Sequence, residues 1–413
     1  MKHIMHKAAL ALVCGILMLT GMPASKAEGV GTHARASSLI DVASGRILYS
    51  SQGDQELPIA SLTKIMTAIV AIEHGRLGDT VKVSSRASGK EGSSLYLKPG
   101  EEMKLHDMLY GLMLRSGNDA ATAIAEHVGG SEEGFVYLMN AKVEELGLKH
   151  THFANPHGLD AEGHYSSAND LAKMTAYALR NPVFKEIVKT NEKQVDNPNE
   201  PWDYKWRNKN KMLRLYEGAD GVKTGYTKKA FRCLVSSATR GGQQLAAVTL
   251  DDGDDWNDHM SLLDFGFARF PLKPVIERGE RVSGHELAAA SDFVYPFGKG
   301  EYEQLTKRLV LYSNRNSSSS SSSSSSISSS ISSNSRTKAA PPGGEALGPK
   351  GVIVLMLGEQ EIGRVPVYPP DRLPPEPAEY GQSLQSASRP QAPASLFEAW
   401  IRTIRALFER SAS

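Results

Sequence analysis

Three late segments constrain this chain most: "GADGVKTG", "RCLVSSATR" and, after a Gly-Gly turn, "QQLAAVTLDD". Each is short and rich in β-formers, and they follow one another with only turns between them. Consecutive strands joined this way predict an antiparallel sheet. Upstream the pattern is helical. "SLTKIMTAIVAIEHG" is apolar at Leu62, Ile65, Met66, Ile69 and Ile72 and stops at Gly75. "LHDMLYGLMLRSGNDAATAIAEHVGG" is apolar at Leu105, Met108, Leu109, Leu112 and Met113, breaks at Ser116-Gly117-Asn118, and resumes as an Ala-rich helix. Ser131 and Ser167 stand where helix N-caps belong. "SSLIDVASGRILYS" reads as two short strands around a turn. A strand pair, then helices, then antiparallel strands predicts an α+β domain, its helices packed on a sheet.

With 413 residues the chain exceeds one ordinary core. The texture changes near residue 271, where "LKPVIERGERVSGHEL" and later "GVIVLMLGEQEIGRVPVYP" show short strands without helical period. This predicts a small all-β domain over 271–369. Ten serines run from Ser317 inside a Ser-rich insertion at about 313–345. Such a tract buries too little apolar surface to order itself. It is expected to be a loop expanded within a hairpin, which loop-closure entropy tolerates. Residues 370–394 form a Pro-rich linker. Residues 395–413 place Leu396, Phe397, Trp400, Ile401, Ile404, Leu407 and Phe408 on one helical face, with charges opposite. That is the pattern of a helix lying in a membrane interface.

At the other end, "MKHIMHK" is basic, and Ala8–Gly21 is an apolar run of 14 residues, short of the ~20 a membrane span needs. Ser25 and Ala27 suit a cut after Ala27, so residues 1–27 read as a signal peptide. Its removal takes the formal charge from +1 to about −2 by loss of Lys2, Lys7 and Lys26. Export and this charge argue against nucleic acid, despite the aromatic and basic residues of "WDYKWRNKNKMLRL", which reads as a hairpin leading into the "GVKTG" strand. Cys14 falls in the apolar run, which leaves Cys233 without a partner in a buried-looking strand, an inert core thiol.

The chemistry starts at "ASLTKIM". Ser61 and Lys64 lie one helical turn apart, so their side chains are neighbours. A serine hydroxyl needs a base to become a nucleophile. A lysine serves if burial and a second cation keep it neutral. Alone, this spacing is weak. "RSGN" adds Ser116 and Asn118 at a break between helices, and "GVKTG" adds Lys223, Thr224 and Gly225 on a strand. S-x-x-K, S-D-N and K-T-G in that order mark class A β-lactamases and penicillin-binding proteins; here Gly117 stands where the second motif has Asp. Lys223 would help keep Lys64 neutral and attract a carboxylate, with Thr224 beside it. Gly225 would let a substrate backbone approach the strand. Ser116 would relay a proton to the leaving amine, and Asn118 would hold a substrate amide. The backbone N–H groups of Ser61 and Tyr226 would receive an oxyanion.

At these residues the chain resembles the low-molecular-weight penicillin-binding proteins, the serine-type D-alanyl-D-alanine carboxypeptidases. "LPIASLTKIMTA", "EGSSLYLKPGE", "GLMLRSGNDAATAIAEHVGGS", "FANPHGLDAEGHYSSANDLA" and "GADGVKTGYTKKA" all read as family blocks, spread over about residues 36–270. The resemblance implies a β-lactamase/transpeptidase-like catalytic domain over 28–270, followed by the small β-domain and the C-terminal amphipathic helix. It implies an acyl-enzyme on Ser61, removal of the terminal D-Ala from peptidoglycan stem peptides, covalent inhibition by β-lactams, no cofactor and no metal. It places the enzyme at the outer face of the cytoplasmic membrane. Two departures stand out. Phe231 occupies a position where many members have glycine. The family's arginine near the substrate carboxylate has no counterpart in "DDGDDWNDHM", which offers Trp256 but no arginine.

Rival readings are weaker. A β-lactamase of this fold would carry a glutamate in an E-x-x-L-N segment; "EELGLK" lacks the asparagine. His150, His152, His157 and His164 have possible metal spacing, but in a loop-like stretch that fits a family block without metal. A catalytically silent cell-wall-binding protein would not need Ser61, Lys64 and Lys223 intact.

Overall fold

The computed structural model describes residues 30–197, 199–312 and 348–375. The first hairpin is β1 (Ala36–Asp41) and β2 (Ile47–Ser51). A helical region follows: α1 (Lys64–His74), α2 (Leu105–Tyr110), α3 (Asn118–Gly129), α4 (Glu132–Glu145), α5 (Ala168–Ala178) and α6 (Pro182–Lys189). The chain then returns as β3 (Ala219–Thr227), β4 (Phe231–Arg240) and β5 (Gln243–Leu250), and closes with α7 (Asp255–Arg269). The sheet order is β2-β1-β5-β4-β3, antiparallel throughout. The N-terminal hairpin thus completes a sheet whose other three strands lie some two hundred residues later.

Both faces of this sheet are covered, and the two-residue period of the strands divides the core accordingly. Cys233, Val235, Ala246 and Val248 face the cluster built by the helical region. Leu234, Ala238, Leu245 and Ala247 face the other way, onto Leu262 and Leu263 of α7. The predicted caps form: Ser131 Oγ accepts the Gly134 N–H at 2.9 Å and Ser167 Oγ accepts the Asp170 N–H at 3.2 Å. Cys233 is buried, its thiol pushed up to about 12 by that burial.

A second unit follows. β6 (Leu272–Ile276) pairs with β7 (Phe293–Pro296), while β8 (Leu305–Leu311), β9 (Gly351–Leu357) and β10 (Gln360–Tyr368) form an antiparallel sheet extended by Ala288–Ala289. Its own core includes Ile276, Tyr295, Phe297, Leu355, Val365 and Val367. Leu311 pairs with Gly351, so the strands on either side of the serine tract are hairpin partners. The tract itself, the signal segment and the C-terminal helix expected over 395–413 lie outside the described residues. Among the described residues, no helix is long and apolar enough to cross a membrane.

Arg46, in the β1–β2 turn, joins the two units. Its guanidinium donates to the Pro296 carbonyl at 2.7 Å and to both Glu301 oxygens at 2.7 and 2.6 Å. It also lies 5.2 Å from the Phe270 ring centre and 5.5 Å from that of Tyr295.

Candidate active site

The site forms where the start of α1 meets β3 and the start of α3. Residues Ala60–Thr63 make a 3₁₀ turn feeding directly into α1. Ala60 sits at φ 48°, a left-handed conformation that costs a non-glycine residue roughly 1–2 kcal/mol. The bend is held from outside. Gly158, at φ 84°, is packed so tightly on it that a Cβ there would lie 2.0 Å from the Ala60 carbonyl oxygen. Thr63 Oγ1 donates to that same carbonyl at 2.9 Å. His164 completes the brace: its Nδ1 accepts the Ala154 N–H at 3.0 Å, leaving Nε2 to donate to Thr63 Oγ1 at 2.7 Å. Burial pushes the His164 imidazole down to about 4, so it stays neutral in this tautomer.

Lys64 is completely buried at the centre. Its Nζ lies 3.0 Å from Ser61 Oγ, 2.7 Å from Asn118 Oδ1 and 2.5 Å from the His157 carbonyl oxygen. Asn118 Nδ2 donates to the Glu91 carbonyl at 2.7 Å, which fixes the amide with its oxygen toward Lys64. Two of the three neighbours of Nζ can therefore only accept. They take two hydrogens, and a neutral amine then turns its lone pair toward the remaining neighbour, the Ser61 hydroxyl. Neutrality is favoured strongly. Burial holds the Lys64 ammonium well below its ordinary range, and the charges of Lys223 and then Lys209 add to this against an opposing pull from Asp119. Lys223 is itself buried and pushed down to about 7, first by burial and then by Lys209. Lys209 is lowered by burial and by Arg115.

The structure thus brings Lys64 into direct contact with both Ser61 and Asn118. Ser116 is buried one position beyond the wide turn Gly111–Arg115, at φ 66°, and leads into α3. Lys223 Nζ donates to the Thr224 carbonyl at 2.8 Å. Thr224 is half-buried, and Tyr226 is 65% exposed at the end of the strand. Gly225 carries a reason that the sequence reading did not supply. A Cβ on it would stand 3.2 Å from each of the Ile59 carbonyl oxygen, the Ala60 Cβ and the Ser61 nitrogen. The close approach it permits is that of the chain's own nucleophile turn to β3. Asp119, fully buried, accepts from Ser94 Oγ at 2.6 Å and from the Leu95 and Leu97 amides at 2.9 and 3.2 Å. It thereby pins residues 93–97 beside α3, where the Ser93 carbonyl accepts the Asn118 N–H at 2.7 Å.

Two contributors, and one cation on the adjoining strand, escaped the sequence reading. Lys209 lies in a stretch read only as a hairpin lead-in, and it helps depress both site lysines. The His157 carbonyl is a backbone group delivered by a loop, with no signature in residue type. Arg232 stands directly across from Tyr226 on β4 and is clasped by Asp255, which belongs to the acidic stretch that lacks an arginine. Its guanidinium is thus paired within the fold, on the strand next to β3. The departure at Phe231 carries a cost: its φ is 54°, a conformation that glycine adopts freely and phenylalanine only with strain.

A serine hydroxyl 3.0 Å from a buried lysine amine, with a second buried lysine on an adjoining strand, is the arrangement an acyl-transferring serine enzyme needs, here on a sheet covered by helices. The family model for D-alanyl-D-alanine carboxypeptidase, peptidase S11, matches residues 23–254, and the chain belongs to that family. The D-alanyl-D-alanine carboxypeptidase DacF of Bacillus subtilis is 38% identical over 296 residues, which is 68% of this chain and 75% of the relative. DacC of Escherichia coli is 37% identical over 269 residues, 60% of this chain and 65% of the relative. Among solved structures, a D-alanyl-D-alanine carboxypeptidase of Mycobacterium tuberculosis aligns with TM-score 0.57 at 32% identity, covering 61% of this chain and 97% of its own. The carboxypeptidase DacD of Francisella tularensis, at 23% identity, aligns with TM-score 0.59 over 84% of this chain and 96% of its own, which extends the likeness in fold to the second unit.

Proposed function

We propose that this chain is a serine-type D-alanyl-D-alanine carboxypeptidase that acts on peptidoglycan stem peptides through an acyl-enzyme on Ser61. The observation that carries the reading is the Lys64 amine, buried and 3.0 Å from Ser61 Oγ. As Oγ bonds to the carbonyl carbon between the two D-Ala residues, its proton passes to Lys64 Nζ. The amide N–H groups of Ser61 and Tyr226 receive the developing oxyanion. The C–N bond then breaks, and the leaving amine takes a proton relayed through Ser116, releasing D-Ala. Water attacks the ester, Ser61 recovers its proton, and the shortened peptide leaves as a carboxylate. Asn118 holds the donor peptide through its free amide hydrogen. Lys223, Thr224 and Arg232 receive the terminal carboxylate, and Gly225 keeps the strand against Ser61. β-Lactams occupy the same pocket and acylate the same oxygen.

Residues 28–270 are the catalytic domain in this reading, with 271–369 a spacer fixed to it through Arg46. Residues 1–27 direct export, and 395–413 hold the enzyme peripherally on the outer face of the cytoplasmic membrane. Ser61→Ala is expected to abolish both labelling by a fluorescent penicillin and release of D-Ala from a D-Ala-D-Ala peptide, followed by mass spectrometry. Retained turnover would reject the assignment. Deleting 395–413 is expected to move the enzyme from the membrane to the soluble fraction with activity intact; continued sedimentation with membranes rejects the anchor.

A further inference from the structure

Beside the catalytic pocket lies a cavity of about 450 Å³ that the proposed mechanism does not use. Its walls come from residues 94–98 and from the loop between the paired strands Glu192–Val195 and Tyr204–Arg207. These neighbour the catalytic groups in the chain: Ser94 follows Ser93, whose carbonyl anchors Asn118, and Arg115 precedes Ser116. The two walls are tied together. Buried Glu101 accepts from the Lys98 N–H at 2.9 Å, from Asn199 Nδ2 at 2.8 Å and from the Tyr204 hydroxyl at 2.8 Å.

Two large aromatics stand out from these walls. Tyr96 is 84% exposed although Leu95 and Leu97 on either side of it are buried, and it is held at φ 63°. The hydrogen bonds that both neighbours' N–H groups donate to Asp119 aim it outward. A bulky side chain in that backbone region is strained, and such strain concentrates at binding sites. Trp202 is 65% exposed on the opposite wall. The rim is polar, but its cations are engaged. Lys98 pairs with Glu200 at 2.9 Å, Lys205 with Glu192 at 3.1 Å, and Arg115 donates to the Arg207 carbonyl at 3.1 Å. With the carboxylates of Glu200 and Asp203 also on the lining, such a rim offers an acidic peptide little. It suits a neutral ligand with apolar ring faces and many hydroxyl and amide groups: a sugar.

We propose that this cavity is a glycan subsite, in which Tyr96 and Trp202 stack on the amino-sugar rings of peptidoglycan while the stem peptide enters the catalytic pocket. The inference rests on the carboxypeptidase reading above. It makes the enzyme selective for peptide still attached to glycan. The test compares three substrates with the same D-Ala-D-Ala end: a short acylated peptide, the free pentapeptide, and the disaccharide-pentapeptide. The full chain, Tyr96→Ala, Trp202→Ala and Trp202→Phe are assayed on each, with fluorescent penicillin labelling as a check on the pocket. For the disaccharide substrate, each alanine variant should raise KM about tenfold, the loss of one ordinary aromatic contact, with kcat unchanged. Trp202→Phe should recover most of it, and the two sugar-free substrates should not respond. Equal effects on all three substrates, or none on any, overturn the glycan subsite. An equal response of the free pentapeptide assigns the cavity to the peptide and overturns it too. If the folded wild type turns over none of the substrates, it is the carboxypeptidase reading that fails.

Discussion

Lys223→Met should make the protein more stable while impairing its chemistry, and the gain should vanish at high pH. Lys223 carries its charge inside the fold at an energetic cost. Its ammonium is lowered from an ordinary 10.5 to about 7, chiefly by burial. At about 1.36 kcal/mol per unit, the charged form is disfavoured by about 5 kcal/mol relative to the unfolded chain. Methionine of similar length avoids that cost but forfeits the 2.8 Å bond to the Thr224 carbonyl, worth about 1.5–3 kcal/mol for a charged donor. The net gain is about 2–4 kcal/mol, or roughly 5–15 °C in Tm for a domain of this size. Its sign against pH follows from proton binding. Between pH 7 and 10.5 the unfolded chain holds a proton on Lys223 that the folded chain has released, so wild-type stability rises with pH over that window. The advantage of the variant is therefore full below pH 7 and gone near pH 10.5. Thermal unfolding of both proteins at pH 6, 7.5, 9 and 10.5 reads this directly. A gain that persists undiminished at pH 10.5, or a loss of stability at pH 6, would refute the account of Lys223 as a desolvated cation.

Other consequences are as direct. If charged Lys223 receives the substrate carboxylate, kcat/KM should fall about tenfold per pH unit above the free-enzyme value of about 7. Lys209→Met should move that limb to higher pH, because Lys209 is the cation that lowers Lys223; an unmoved limb in the pH profile counts against the pairing. Phe231→Gly should leave stability unchanged or raise it by up to ~1 kcal/mol, left-handed strain relieved against added chain entropy, while Phe231→Val should lower it; denaturant unfolding of the pair decides. Arg46→Ala should remove about 2–3 kcal/mol of coupling between the two units and split a single calorimetric transition in two; one unchanged transition would show that the junction does not rest on Arg46.

The legible parts of this fold are those whose cause is local. Ser131 and Ser167 cap helices because a hydroxyl reaches an amide three residues on, and such a bond can be read from spacing alone. The strand character of "RCLVSSATR" and "QQLAAVTLDD", with only a Gly-Gly turn between them, told that β4 and β5 pair. The break at Ser116-Gly117-Asn118 was visible too, but the wide helical turn before it and the left-handed Ser116 were not. What stayed hidden depends on residues distant in sequence. Nothing near Ala60 announces that it will be bent, because the atoms holding the bend belong to Gly158 and, through Thr63, to His164. Lys209 acts through charge across space, and no motif records that.

Gly225 shows why the three motifs are meaningful together and weak apart. Read on its own, a glycine on a strand next to a lysine and a threonine signals close approach without saying of what. The structure puts the nucleophile turn within contact of its missing side chain. The strand that carries Lys223 is thereby brought against the start of the helix that carries Lys64. The first lysine can depress the second only because both are buried in one small volume. A serine and a lysine one turn apart occur in many helices, but most such lysines are solvated and protonated. In the proposed mechanism, what converts the pair into a nucleophile and its base is the remote strand. Its glycine admits it to the site, its lysine repels the proton from Lys64, and the Asn118 and His157 oxygens orient the amine that remains.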